Sequence, residues 1–258
     1  MKLRNYRFII PLTAIAVFLC VSFKNPKAII KTIVIDAGHG GHDVGCHYGG
    51  KNEKDITLKV SLLLGQMLRD SFPEVGVIFT RSSDSFVELH ERANIANRNN
   101  ADFFISVHVN ASTSTTAYGT ETYAMGLHKT EGNLAVAKRE NESALLESNY
   151  QSNYDGFDPN SPEGSIIFTM FQSQFLNQSL KLASNVEQEF KKTNRYSRGV
   201  KQAGFLVLWK TSMPSILVET GYLSNAIERK FLTSEDGQMA TALSIFEAFK
   251  QYKKDAEK

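Results

Sequence analysis

The chain has 258 residues, 42% of them hydrophobic, with a formal charge of +2 and no repeat or low-complexity tract. That size and composition suit one α/β domain with a packed core and exclude a largely disordered chain. Part of the charge comes from Lys2, Arg4 and Arg7, so the rest of the chain is nearly neutral and lacks the concentrated Lys/Arg face of a nucleic-acid binder.

In chain order, residues 8–23 form an apolar run behind a basic stretch, the pattern of a secretory signal or N-terminal anchor. The run falls short of the roughly 20 residues that span a bilayer comfortably, and no clean small-residue cleavage site follows it. Residues 1–27 are therefore assigned to export and 28–258 to the folded domain, which places the protein in the periplasm or cell envelope, with the membrane touched only through the N-terminal segment. Cys20 lies inside the run behind bulky Phe18 and Leu19, a poor context for lipidation, and Cys46 reads as a small packed side chain rather than a ligand.

Thr32-Ile33-Val34-Ile35-Asp36 predicts a buried strand feeding the loop Ala37-Gly38-His39-Gly40-Gly41. Helical spacing of Ile56, Val60, Leu63, Leu64, Met67 and Leu68 predicts a helix over 55–70, started by Asp55. Strands are expected at 75–80, 103–108 and 117–125, and helices at 87–98 and 166–193. Phe205-Leu206-Val207-Leu208 and Ser215-Ile216-Leu217-Val218-Glu219 read as two further strands before a last helix near 235–253. The alternation implies a mainly parallel, twisted sheet flanked by helices. Residues 127–164 break the pattern and read as an inserted, partly helical segment, a candidate lid or regulatory element.

His39 follows the first strand, Glu53 precedes the first helix, and His108 ends the third strand. All three belong to one rim of the sheet, the edge where open α/β sheets bind ligands. Two imidazoles and a carboxylate make a tripod that leaves a coordination position on zinc open, which hydrolysis requires. Glu219 ends an apolar strand at the same rim, where desolvation raises its proton affinity and suits it to act as base and then acid. His42 and His47 compete as ligands within the first loop; His90 falls in a helix and His128 at the start of the insertion. The glycine-rich loop does not complete a nucleotide-binding pattern, since the spacing to Gly45 is wrong and no Lys-Ser/Thr follows.

Four segments carry a resemblance to a known family: Ile33-Val34-Ile35-Asp36-Ala37-Gly38-His39-Gly40-Gly41, Asn52-Glu53-Lys54-Asp55, Ser106-Val107-His108-Val109-Asn110 and Val218-Glu219-Thr220-Gly221-Tyr222-Leu223-Ser224-Asn225. Over about residues 30–252 the sequence resembles the zinc-dependent N-acetylmuramoyl-L-alanine amidases of amidase type 3. Ala37, where that family often has Pro, and Val107 and Val109, where Leu and Ala are frequent, depart mildly from its pattern. The resemblance implies a single phosphorylase/hydrolase-like α/β domain and one Zn2+ per chain held by His39, Glu53 and His108. It implies Glu219 as the catalytic glutamate and peptidoglycan as the substrate. Relatives in that family often carry an inserted segment that covers the zinc until a partner, an activator protein, displaces it, and residues 127–164 occupy a suitable place; the acidic helical pattern there offers Glu140, Glu142 or Glu147 as an occluding carboxylate, with a harmless surface insertion as the alternative. A zinc peptidase cutting elsewhere in the stem peptide, and a non-catalytic wall-binding regulator, are the competing readings.

Overall fold

A computed structural model describes residues 29–154 and 175–257. The expected export segment, the end of the insertion (155–164) and the start of the helix expected at 166–193 lie outside those residues. Six strands form one sheet: β1 (Thr32–Ala37), β4 (Gly76–Phe79), β5 (Phe103–Asn110), β6 (Thr120–Met125), β7 (Ser197–Ala203) and β8 (Ser215–Tyr222), in the order β4-β1-β5-β8-β6-β7. A short hairpin, β2 (His47–Tyr48) with β3 (Lys51–Asn52), stands apart.

β4, β1, β5 and β8 run parallel, as expected of apolar strands joined by helical crossovers. β6 runs against β8, and β7 is parallel to β6. The sheet is thus mainly parallel with a reversed pair at one side, and the first residues of β6 and β7 lie at the rim where β1, β5 and β8 end.

Alternation along the strands divides the core. Ile33 and Ile35 of β1 face one layer with Ile105, Ile216 and Val218, covered by α1 (Glu53–Ser71), α5 (Leu176–Lys192) and α8 (Glu235–Ala256). Val34, Phe104, Tyr123 and Leu217 face the other, covered by α2 (Leu89–Arg98), α3 (Glu131–Asn141) and α6 (Leu206–Trp209). On α1 the stripe Ile56, Val60, Leu64 and Leu68 is buried, the i, i+4 pattern of an amphipathic helix against a sheet.

Two expectations are corrected. Residues 205–208, expected as a strand, begin the short helix α6; Leu206 to Trp209 are buried on every side, and an apolar run buried all round has no periodicity to separate strand from helix. The strand missing from the sequence reading is β7, whose polar, half-exposed residues make an edge without an apolar signature. The first helix starts at Glu53 itself, two residues before Asp55, and α7 (Ala226–Leu232) precedes α8.

The described part of the insertion lies across the rim. Its helix α3 is capped by Thr130, whose hydroxyl accepts from the Asn133 N–H at 3.2 Å. A 3-10 turn, Glu142–Leu146, and the short helix α4 (Tyr150–Asn153) follow. Asn141 docks the helix end onto the body: its Nδ2 donates to Gly204 O and its Oδ1 accepts from Leu206 N–H, both at 2.8 Å.

Candidate functional site

Beneath the rim lies a buried ionic frame. Asp36 at the end of β1 accepts from Thr80 Oγ1 and Ser106 Oγ at 2.6 Å and from Arg92 Nη1 at 3.0 Å. Arg92 also donates to Ala37 O and His39 O, and Arg81 to Ala37 O and Gly38 O. The carbonyls of the loop that carries His39 are therefore tied to two immobile guanidinium groups. Burial would raise the Asp36 pKa, but the Arg92 charge and the two hydroxyl donors hold it below the ordinary range.

That frame sets His39 in the left-handed region, at φ +60°. Its Nδ1 pairs with Asp43 Oδ2 at 2.9 Å, which turns Nε2 inward, 3.2 Å from Glu53 Oε2. His108 presents Nδ1, 3.1 Å from Glu53 Oε1. The His108 ring fits because residue 38 is glycine: a Cβ there would stand 2.5 Å from the ring. Gly45, at φ +64°, is required likewise, since a Cβ would meet His39 at 2.6 Å and Glu53 at 2.7 Å. Glu53, the first residue of α1, is wholly buried, and its oxygens accept from the backbone N–H groups of Cys46 and Val109 at 2.9 and 2.8 Å.

The structure thus brings His39, Glu53 and His108 together, and adds Glu140 from the inserted helix. Glu140 Oε2 is 3.1 Å from His39 Nε2 and 2.9 Å from His108 Nδ1. One donor atom from each of these four buried residues lies within 4.8 Å of the others. Two imidazoles and two carboxylates converging in a closed space fit a borderline cation, and Asp43 behind His39 provides the orienting contact that metal-ligating imidazoles use.

The charges are tightly coupled. Burial opposes ionisation of His39, but Glu53, Asp43 and Glu140 more than offset it and raise its pKa well above the usual value. His108, likewise buried, is raised to about 9 by Glu140 and Glu53. Burial works against ionisation of Glu53 and Glu140 too, yet His39 holds the first low, and Arg139 with His108 holds the second well below the carboxylate range. Such a cavity attracts positive charge, whether protons or a cation.

Glu219 behaves in the opposite way. It is wholly buried in β8, opposite His108 of β5, and neither oxygen has a hydrogen-bond partner among the described residues. Burial, reinforced by the Glu140 charge, pushes its pKa well above the usual carboxylate value, with Arg139 pulling the other way. Arg139 Nη2 stands 3.5 Å from Glu219 Oε1 and donates to Glu140 Oε1 at 2.8 Å, so one guanidinium touches both carboxylates.

The other histidines lie outside this cluster. His42 stacks on Phe86 with ring centroids 4.1 Å apart, and His47 Nδ1 pairs with Asn52 Oδ1 at 2.6 Å. His128 is half-buried at the start of the insertion. His90 pairs with Glu147 at 3.0 Å and, through its other nitrogen, with Glu88 at 3.5 Å. Of the acidic candidates in the insertion, only Glu140 reaches the cluster; Glu142 is exposed and Glu147 serves the start of α2. Cys46 is half-buried, its thiol donating to Val109 O at 3.2 Å and its pKa raised by burial, so it is not a ligand-ready thiolate. Asp43, Arg81, Arg92 and Arg139 escaped the sequence reading. Only Asp43 carried a local signal, four residues after His39 in the same loop.

Comparison with known proteins gives consistent matches. Residues 33–251 match the amidase type 3 family, described as N-acetylmuramoyl-L-alanine amidase. The N-acetylmuramoyl-L-alanine amidase AmiA of Escherichia coli K12 is 29% identical over 226 residues, which cover 86% of this chain and 76% of that protein. The catalytic domain of CwlV, an N-acetylmuramoyl-L-alanine amidase from Bacillus (Paenibacillus) polymyxa var. colistinus, superposes with a TM-score of 0.62 at 29% identity, covering 86% of this chain and 98% of that one. The CwlD amidase of Clostridioides difficile, solved in complex with the GerS lipoprotein, gives a TM-score of 0.62 at 27% identity, covering 86% and 98%.

Proposed function

The chain belongs to the N-acetylmuramoyl-L-alanine amidase family, and from that premise we propose that it hydrolyses the amide between N-acetylmuramic acid and L-alanine in peptidoglycan, with one zinc ion held by His39, Glu53 and His108. The observation that carries the site assignment is the convergence of those buried donors beside Glu219, a buried carboxyl group without a hydrogen-bond partner among the described residues. Zinc there would supply a Lewis acid for the scissile carbonyl and lower the pKa of water at its open position.

The chain's own groups do the remainder. Asp43 fixes the tautomer and direction of His39, and the N–H groups of Cys46 and Val109 hold Glu53 in one orientation. Glu219, with its raised proton affinity, takes a proton from the attacking water and returns it to the departing L-alanine amine.

The inserted helix silences this arrangement. Glu140 lies against both imidazoles, where the open metal position would be, and Arg139 lies beside the catalytic carboxylate, so one helical turn obstructs both. Activity then requires a partner that lifts the segment. Such a partner is a natural requirement for an exported hydrolase of the wall, and the complex of CwlD with a lipoprotein shows that one relative forms an assembly. Export itself rests on residues 1–27. Among the described residues no helix is long and apolar enough to cross a membrane.

The test is stem-peptide release from purified peptidoglycan by the full chain and its Glu140→Ala variant, with zinc, with chelator and with Glu219→Ala added, the new termini being identified by mass spectrometry. A free lactyl carboxylate and a new L-alanine amine, lost with chelator and with Glu219→Ala, are expected. Cleavage at another amide would make the enzyme a peptidase, and no cleavage by any form would favour a binding role.

A further inference from the structure

Two cavities flank the Arg139–Glu140 pair. One, about 400 Å3, is lined by His39, Asp43, Cys46 and Glu53; the other, about 450 Å3, by Asn110, Ser112, Arg198 and Tyr222, with Arg139 shared between them. Arg139 alone is common to the two linings, so the cavities lie on either side of its side chain. The second lies on the Glu219 side, because Tyr222 follows Glu219 along β8 and Arg139 touches Glu219.

The reversal of β6 and β7 gives this side its charge. Glu121 of β6 stands opposite Glu219, and Thr120 opposite Ser197, so Arg198 lies at the rim. The buried Glu121 carboxylate accepts from Asn110 Nδ2, from the Tyr123 and Tyr222 hydroxyls at 3.0 and 3.2 Å, from Lys201 Nζ, and from Arg198 Nε at 3.3 Å. Two cations share one carboxylate, which leaves the wall of this cavity positive.

Arg198 is also held in place. Its guanidinium lies 5.2 Å over the Tyr222 ring, and Nη1 donates to Tyr118 O at 3.3 Å. Nη2 has no partner among the described residues, although the side chain is 35% exposed and lines the cavity. A flat guanidinium fixed along one edge by a carboxylate and on one face by an aromatic ring, lining a cavity, is suited to receive an anion.

We propose that Arg198 receives a carboxylate of the stem peptide on the leaving-group side of the scissile amide, so that the enzyme prefers stems whose residue after L-alanine carries a free carboxyl group over stems in which that group is amidated. The inference rests on the amidase reading. Glu219 must reach the departing amine, so the peptide attached to that amine lies on the Glu219 side, where Arg198 stands, and the sugar lies towards His39 and Asp43. Arg198 thus positions the substrate and takes no part in the bond cleavage.

The test uses the zinc-loaded full chain carrying Glu140→Ala and Glu219→Gln, which removes the Glu140 obstruction and prevents turnover. Two N-acetylmuramoyl-L-alanyl dipeptides are titrated calorimetrically, one with a free carboxyl group on its second residue and one with the carboxamide. One or two charge-assisted hydrogen bonds predict about tenfold tighter binding of the acid. Arg198→Met brings the ratio close to one, and Arg198→Lys leaves an intermediate ratio; Lys201 keeps Glu121 paired in both. No preference for the acid in the parent protein, or an unchanged ratio after Arg198→Met, would overturn the proposal. The identity of the bond cut by the Glu140→Ala protein is measured separately, so failure of the amidase reading is seen there and not in the binding ratio.

Discussion

Under the rim, Arg81 and Arg92 are buried and direct their donors at the backbone carbonyls of Ala37, Gly38 and His39 and, from Arg92, at Asp36; in the inserted helix, Arg139 is partly exposed and reaches the side chains of Glu140 and Glu219 and the carbonyl of Ala111. The first arrangement is tied into strand ends and moves only if the sheet does. The second joins the inserted helix to the rim, through Glu219 of β8 and the Ala111 carbonyl. The same residue type therefore serves two ends, and what differs is where its partners lie: Arg81 and Arg92 pair within the body of the domain, whereas Arg139 joins the inserted helix to it.

The sharpest way to break the comparison is at Glu219. Glu219→Gln keeps the volume but cannot carry the proton, and is expected to lower kcat by about 10²–10⁴-fold while zinc content stays unchanged. Metal analysis alongside stem-peptide release checks this. Equal loss of zinc and activity would instead make Glu219 part of the metal site.

The frame is tested through Asp36. Asp36→Asn leaves the buried Arg92 charge uncompensated and is expected to cost about 3–5 kcal/mol of unfolding free energy, measured in urea. The pH dependence has a definite sign. The Asp36 pKa is depressed on folding, so its contribution is fully present above the unfolded value of about 3.9 and is lost as pH falls through the lower folded value. The difference in stability between wild type and Asp36→Asn should shrink below about pH 4. A difference independent of pH would mean that Arg92 is held by the carbonyls alone.

Glu140→Ala addresses the insertion. Removing a group that competes for the open metal position is expected to raise basal activity by about 5–150-fold, the usual range of coupling between a regulatory contact and a site. Glu142→Ala, on the exposed side of the same turn, is the control expected to change nothing. An activity gain from Glu142→Ala equal to that from Glu140→Ala would point to general loosening of the segment.

The rim was legible in the sequence because its residues sit where apolar runs stop: His39 follows β1, and His108 and Glu219 are polar residues placed after the apolar stretches of β5 and β8, which continue past them to Asn110 and Tyr222. The frame was not, since Arg81 and Arg92 look like ordinary charged residues near helix α2 and find their carbonyl partners only through the sheet. The reversal of β6 and β7 left no trace either, because strand direction depends on the connection and β7 is a polar edge. The helical pattern of the insertion offered three carboxylates, but which of them reaches the histidines depends on how the helix docks, and Asn141 contributes to that through Gly204 and Leu206.

The smallest expected effect lies further along the insertion, where Glu147 acts as a second fastening away from the His39–Glu53–His108 cluster. Its buried carboxylate accepts from the Leu89 N–H at 2.7 Å, from Tyr154 Oη at 2.6 Å and from Asn153 Nδ2 at 3.4 Å, and pairs with His90 at 3.0 Å. Helix α2 has no side-chain cap of its own, so this carboxylate, brought by the insertion, satisfies an N–H at the positive end of the helix. Glu147→Ala removes that cap and is expected to weaken docking by about 1 kcal/mol, or roughly fivefold in the population of the lifted segment. Hydrogen exchange over residues 131–154 should quicken by that factor, and basal activity should rise several-fold, less than with Glu140→Ala. Faster exchange without a rise in activity would show that the Glu140 contact blocks the centre even when the second fastening is cut; unchanged exchange would show that Asn141, Ser143 and the Glu140 contacts dock the segment without Glu147.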